Sequence, residues 1–169
     1  MRGTSALSRM DGMKILPVFL AILAATVSHV EGAAGGSAAT ESPVKVAVTV
    51  SPTSLGAGSD ASVTVRLEPK PGIKMNKYPK IKVQIPAVPG LVDAAEQSLG
   101  NAAAPPPDQL DANYFHGGVD PLTLTLHLDP HAVKGPHEIH GKLSYFYCVA
   151  ASGFCAPAKA ELTIPVTIR

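Results

Sequence analysis

GKLSYFYCVAASGFCAPAKAELTIPVTIR, residues 141–169, alternates apolar and polar side chains on both sides of a short loop. Leu143, Tyr145 and Tyr147 share one face before the loop, with Ile139 upstream, and Leu162, Ile164, Val166 and Ile168 share one face after it. Successive side chains of a β-strand point to opposite faces, so period two reads here as two strands, each with one buried face. The loop Cys148-Val149-Ala150-Ala151-Ser152-Gly153-Phe154-Cys155 holds the chain's only two cysteines. If the flanking strands form a hairpin, both sulfurs lie near one end of a sheet, within disulfide reach. Cys148 falls with Ser144 and Phe146, opposite the Leu143–Tyr145–Tyr147 face, so a regular strand does not make it a core residue. Pro165 lacks a backbone donor, which places the last strand at an edge or a bulge there.

The same period recurs upstream. Val44, Val46, Val48 and Val50 alternate with Lys45, Ala47 and Thr49; Val63, Val65 and Leu67 alternate with Thr64, Arg66 and Glu68. Ile81, Val83 and Ile85 form a shorter set, and Leu122, Leu124, Leu126 and Leu128 alternate with Thr123, Thr125 and His127. Repeated strands with one apolar face each predict an all-β, two-sheet antiparallel sandwich. Val65, Leu124, Leu143 and Ile164 are expected in its core. The pattern lapses between Leu91 and Tyr114, where Ala94–Gln97 reads as a helical turn and Asn101–Pro107 as an Ala/Pro loop.

Met1–Gly32 reads as a cleavable signal peptide: Lys14 precedes the apolar run Ile15–Val27, and small residues follow at a cut after Gly32 or Ala34. Residues 33–43 are Gly, Ala, Ser and Thr with little to bury and read as a flexible linker, which leaves 44–169 as the folded domain. Export, to the periplasm or beyond, puts both cysteines in an oxidising compartment where a disulfide persists. The chain carries a formal charge of +1. Without residues 1–32, which hold Arg2, Arg9, Lys14, Asp11 and Glu31, the remainder is neutral. No nucleic-acid partner and no stable membrane insertion of the mature chain are expected from that balance.

The cysteine spacing matches neither a C-x-x-C redox motif nor a zinc knuckle. As a staple, so short a loop contributes roughly 2–3 kcal/mol on the chain-entropy model, and from spacing alone a staple stands ahead of a redox pair. Gly153 and the small side chains of Ala150, Ala151 and Ser152 would give an attacking thiolate access to the loop. His116, His127, His131, His137 and His140 could join the thiolates around a metal, but His137 and His140 lie on opposite faces of a regular strand. No metal and no cofactor are expected. No Ser-His-Asp set, phosphate loop or paired-carboxylate spacing is present.

The run Leu143-Ser144-Tyr145-Phe146-Tyr147-Cys148, then Gly153-Phe154-Cys155-Ala156-Pro157, then Leu162–Val166, resembles the N-terminal periplasmic domain of the DsbD family of thiol:disulfide interchange proteins. Pro71–Pro79 resembles that family's early loop, reduced here to the single aromatic Tyr78. The resemblance implies an immunoglobulin-like sandwich in which Cys148 and Cys155 form an exchanging disulfide pair. It implies thioredoxin-like periplasmic proteins as partners, with a separate membrane protein as electron donor. It also implies aromatic residues shielding or binding beside the pair, for which Phe154, Tyr147, Tyr114 and Phe115 are the candidates, the last two within a cap-like segment Asp111–Phe115. The competing expectation is a non-enzymatic immunoglobulin-like interaction module whose disulfide is structural.

Overall fold

The computed structural model describes residues 42–169, so the signal peptide and nearly all of the linker expected above lie outside the described residues. In chain order the strands are β1 (Val44–Ser51), β2 (Ser54–Leu55), β3 (Asp60–Pro69), β4 (Ile73–Met75), β5 (Ile81–Ile85), β6 (Ala95–Leu99), β7 (Leu122–His127), β8 (Gly135–Val149) and β9 (Cys155–Ile168). A 3-10 helix, Pro107–Asn113, lies between β6 and β7. A three-stranded sheet has the order β1-β3-β7, and a six-stranded sheet runs β2-β9-β8-β5-β6, with β4 also pairing β8.

This is an immunoglobulin-like sandwich. Its first strand lies beside the next long strand in one sheet, and the chain then crosses so that β2 pairs β9 in the other, in parallel. The last two strands form a hairpin flanked by β5, as G, F and C do in that fold, while β7 lies beside β3 as E lies beside B.

Alternation sets which side chains meet between the sheets. Val63 and Val65 of β3, Leu126 of β7, Ile139 and Leu143 of β8 and Ile164 of β9 are each 0% exposed. Leu124, at 4%, completes the set expected in the core. Burying each such side chain contributes about 1.5–3 kcal/mol relative to leaving it in water. β8 and β9 pair without a break from Gly135–Ile168 to Cys148–Cys155, making their hairpin the longest ladder in the fold. β2 reaches only Thr167 and Ile168. Among the described residues the far side of β9 therefore has no neighbouring strand at Pro165, an edge position that tolerates the missing donor.

One expectation is corrected. Ala94–Gln97 is no helical turn: Ala95–Leu99 extends as β6, in register with β5 from Ile85↔Ala95 to Ile81↔Leu99. Its backbone completes the sheet edge while its side chains stay mostly outside the core, so no apolar alternation marks it. Its hold is polar instead: the Gln84 amide donates to Glu96 at 2.8 Å, and Lys82 pairs with Glu96 at 2.9 Å.

Candidate functional site

The two cysteines are directly opposed at the end of the β8–β9 ladder and form a disulfide, with S–S 2.04 Å and Cα–Cα 4.0 Å. The turn between them is closed by its own backbone. Val149 N–H donates to Phe154 at 2.7 Å, Gly153 N–H donates to Val149 at 2.9 Å, and Gly153 takes φ +70°, a left-handed conformation in which a side chain is disfavoured. Ala150 N–H donates to Gly72 at 2.8 Å, which ties the turn to the loop ahead of β4.

Cys148 keeps the outward parity expected of it, and yet it is only 4% exposed. Two other segments cover that side of the sheet. β4 pairs the end of β8 in the register Lys74↔Cys148, and residues 113–115 are bound in turn to residues 75–78. Phe115 N–H donates to the Met75 carbonyl and Lys77 N–H to that of Asn113. The Asn113 side chain both accepts from Tyr78 N–H at 2.9 Å and donates to the Tyr78 carbonyl at 3.0 Å. This places the Tyr114 hydroxyl 3.7 Å from Cys148 Sγ, as a donor to it. Asn76 Oδ1 approaches the same sulfur to 3.5 Å. In the disulfide that sulfur carries no hydrogen, so the approach is a polar contact, and only a thiol there would donate to it. Cys155, across the ladder, is exposed.

Charge surrounds the cover rather than the sulfurs. Lys74 Nζ lies 4.7 Å over the Tyr114 ring and 3.9 Å from Asp111. Lys77 Nζ lies 5.9 Å from the Phe115 ring centre. His116 meets the Asp111 carboxylate at 3.4 Å.

The structure brings Tyr114 to the buried sulfur and puts Phe154 in the turn beside Cys155, where Phe154 is 57% exposed. Phe115 and Tyr147 instead pack partly against the core, and Tyr147 sits 6.3 Å from Tyr145, ring centre to ring centre. Asn76 was not legible in the sequence as part of this site. It is the one buried polar side chain among the described residues, and nothing in its flanking sequence marks it. Leu110 of the 3-10 helix, 61% exposed, was likewise unmarked.

The histidines do not converge. His127 Nδ1 lies 2.7 Å from Asp60, His137 bonds the Val133 carbonyl, and His140 lies 3.6 Å from Glu138. Among the described residues no group of three or more His, Cys, Asp or Glu side chains is placed to hold a metal ion. Two open cavities of about 380 and 340 Å³ share Gln84 and Lys142 on the outer face of the six-stranded sheet. Neither contains a residue from the disulfide end. Among the described residues no helix is long and apolar enough to cross a membrane.

No family model matches the chain, and no curated protein matches it. Among solved structures it is similar to AggA, the major subunit of aggregative adherence fimbriae type I from Escherichia coli. The two are 16% identical over 75% of this chain and 95% of that chain, with a TM-score of 0.31. The DsbD resemblance is corrected by these findings: neither a family model nor a curated protein supports it. The residues that carried it answer to local demands. Tyr145 fills the core, and Gly153 makes a left-handed turn.

Proposed function

We propose that the chain is an exported, non-enzymatic immunoglobulin-like interaction module, and that its disulfide is structural and braces the end through which it binds. One observation carries this reading. Of the four exposed large apolar side chains among the described residues, three (Phe154 at 57%, Leu110 at 61% and Tyr78 at 38%) lie on segments bound together around the disulfide. Phe154 is in the turn itself, Leu110 is in the 3-10 helix, and Tyr78 is held by Asn113 at the end of that helix. Exposed aromatic and aliphatic groups on a rigid frame, with cations beside them, are what a protein-binding surface offers. The bridge fixes the turn that presents Phe154, and ordering a loop before binding lowers the entropy lost on association.

A second reading is favoured by the unequal cover of the sulfurs. A partner thiolate would reach Cys155, form a mixed disulfide with it and release Cys148 as a thiolate, which the Tyr114 hydroxyl would stabilise by donating to it. The domain would then exchange disulfides with a thioredoxin-like protein, drawing electrons from a separate donor.

Single-cysteine variants separate the two. On the structural reading, Cys148→Ala and Cys155→Ala each fold, each loses about 2–3 kcal/mol of stability by denaturant titration, and neither traps a thioredoxin-like protein as a mixed disulfide. A trapped adduct with either variant, together with undiminished stability, overturns it in favour of exchange.

A further inference from the structure

Among the described residues two long strands, β1 and β9, leave an outer edge largely unpaired, but β9 is blunted along that edge by Pro157 and Pro165 and by Lys159 and Glu161, and β1 is not. In the six-stranded sheet, the edge strand β2 has 2 residues, and the edge strand β6 has 5, with the charged Glu96 in it. β7, at the other side of the three-stranded sheet, is met at its end by Asp93 N–H, which donates to the His127 carbonyl at 3.1 Å. β1 has 8 residues, no proline and an unbroken register with β3 from Val44↔Pro69 to Ser51↔Ser62. Among the described residues no strand pairs its other side. Natural sheets blunt such edges with charge, proline or bulges, because a bare edge templates another strand. The single charge of β1, Lys45, is paired to Glu68 at 3.4 Å.

Its inward side chains point the same way. Val46, Val48 and Val50 face the core but are only partly buried. Their ladder partners Leu67, Val65 and Val63 are 4%, 0% and 0% exposed. The uncovered part of each valine therefore lies on the open side of the strand, where one more strand of alternating character would cover it.

We infer that this strand is supplied by a second copy of the chain, the two β1 strands pairing antiparallel about Ala47 so that two sheets join into one. This goes beyond the reading above, and it rests on β1 rather than on the disulfide. The sequence VKVAVTVS of β1 is self-complementary in that register. Val44 meets Val50 of the second copy and Val46 meets its Val48, so every valine of the strand has a valine opposite it on the core face. On the outer face Lys45 meets Thr49 of the second copy, and the two small Ala47 side chains meet at the axis. A slip of one residue sets valines against Lys45, Ala47 and Thr49 and turns apolar side chains outward. The two lysines oppose each other only when the axis is moved to Lys45, which shortens the overlap. A two-fold interface of this kind is closed, giving dimers and no filament.

Charge at the axis tests the inference in the full chain. Ala47 is half-buried on the outer face, so Ala47→Lys and Ala47→Glu place like charges directly opposite each other without entering the core. Sedimentation across a concentration series should show a dimer for the native chain. Each variant should associate about tenfold more weakly or worse, and an equimolar mixture of the two should recover the dimer. Hydrogen exchange at Lys45–Ser51 should slow on dimerisation and speed up in each variant alone, with unchanged thermal unfolding showing that the fold is intact. If Ala47→Lys does not fold, Thr49→Lys repeats the test one row away. A chain that stays monomeric at every concentration overturns the inference, whether its β1 amides exchange freely or are protected by some other segment. So does a dimer that neither charge disturbs.

Discussion

Glu96 shows how much of the sheet edge rests on single contacts. Its carboxyl is held below the usual carboxylate range, first by the hydrogen bond from Lys82 and then by that from the Gln84 amide. Both favour the charged form. A carboxyl with a depressed pKa stabilises the folded state above its unfolded pKa, and that contribution is lost as pH falls through the folded value. Lys82→Ala should therefore return the Glu96 pKa toward the ordinary range in a carbon-detected NMR titration, and the β5–β6 pairing should loosen less on acidification than in the native chain. An unmoved titration would mean that Lys82 does not set it. At this scale alternation was a good guide: Leu143 is 0% exposed, as its face requires. Parity also set Cys148 on the outer face correctly, but its burial could not be read, because the cover comes from Tyr114, 34 residues away in the chain.

Among the elements, the long strands announced themselves and the short ones did not. β3, β7, β8 and β9 each bury one face, so water leaves an alternating mark on their sequences. β6 and the 3-10 helix Pro107–Asn113 bury little; β6 is held by its backbone pairing with β5 and the polar contacts of Glu96, and the end of the 3-10 helix by the Lys77 N–H bond to the Asn113 carbonyl. Gly100, just past β6, is where this becomes testable. It has φ +125°, and a Cβ there would collide with the Lys77 carbonyl, the same oxygen that accepts the Asn101 N–H at 2.8 Å. Both the backbone conformation and the close approach demand glycine. Gly100→Ala should destabilise the domain by more than about 1 kcal/mol. It should also speed hydrogen exchange at Asn101 and Lys77 ahead of the core strands. Equal or greater stability would show that the loop adjusts without cost.

The whole molecule combines a sandwich with one core between its sheets and a disulfide at one end, and the function proposed depends on what that bond does. A two-sheet sandwich could be derived from period two alone, since two sheets are what bury so many one-faced strands, but its immunoglobulin-like strand order could not. The role of the cysteines could not, because both roles place two sulfurs across a hairpin. The setting holds features that bear on both: exposed Phe154, Leu110 and Tyr78 surround the bridged end, as the proposed brace of a binding surface requires, while one sulfur lies beneath Tyr114 and Asn76 and the other is exposed, as exchange would use. The equilibrium reduction potential of the native Cys148–Cys155 bond, titrated against glutathione and dithiothreitol buffers, tests this most directly. A structural brace predicts a value below about −300 mV, out of reach of the glutathione pool. A value well above that, with rapid reduction by a thioredoxin-like protein, would contradict it.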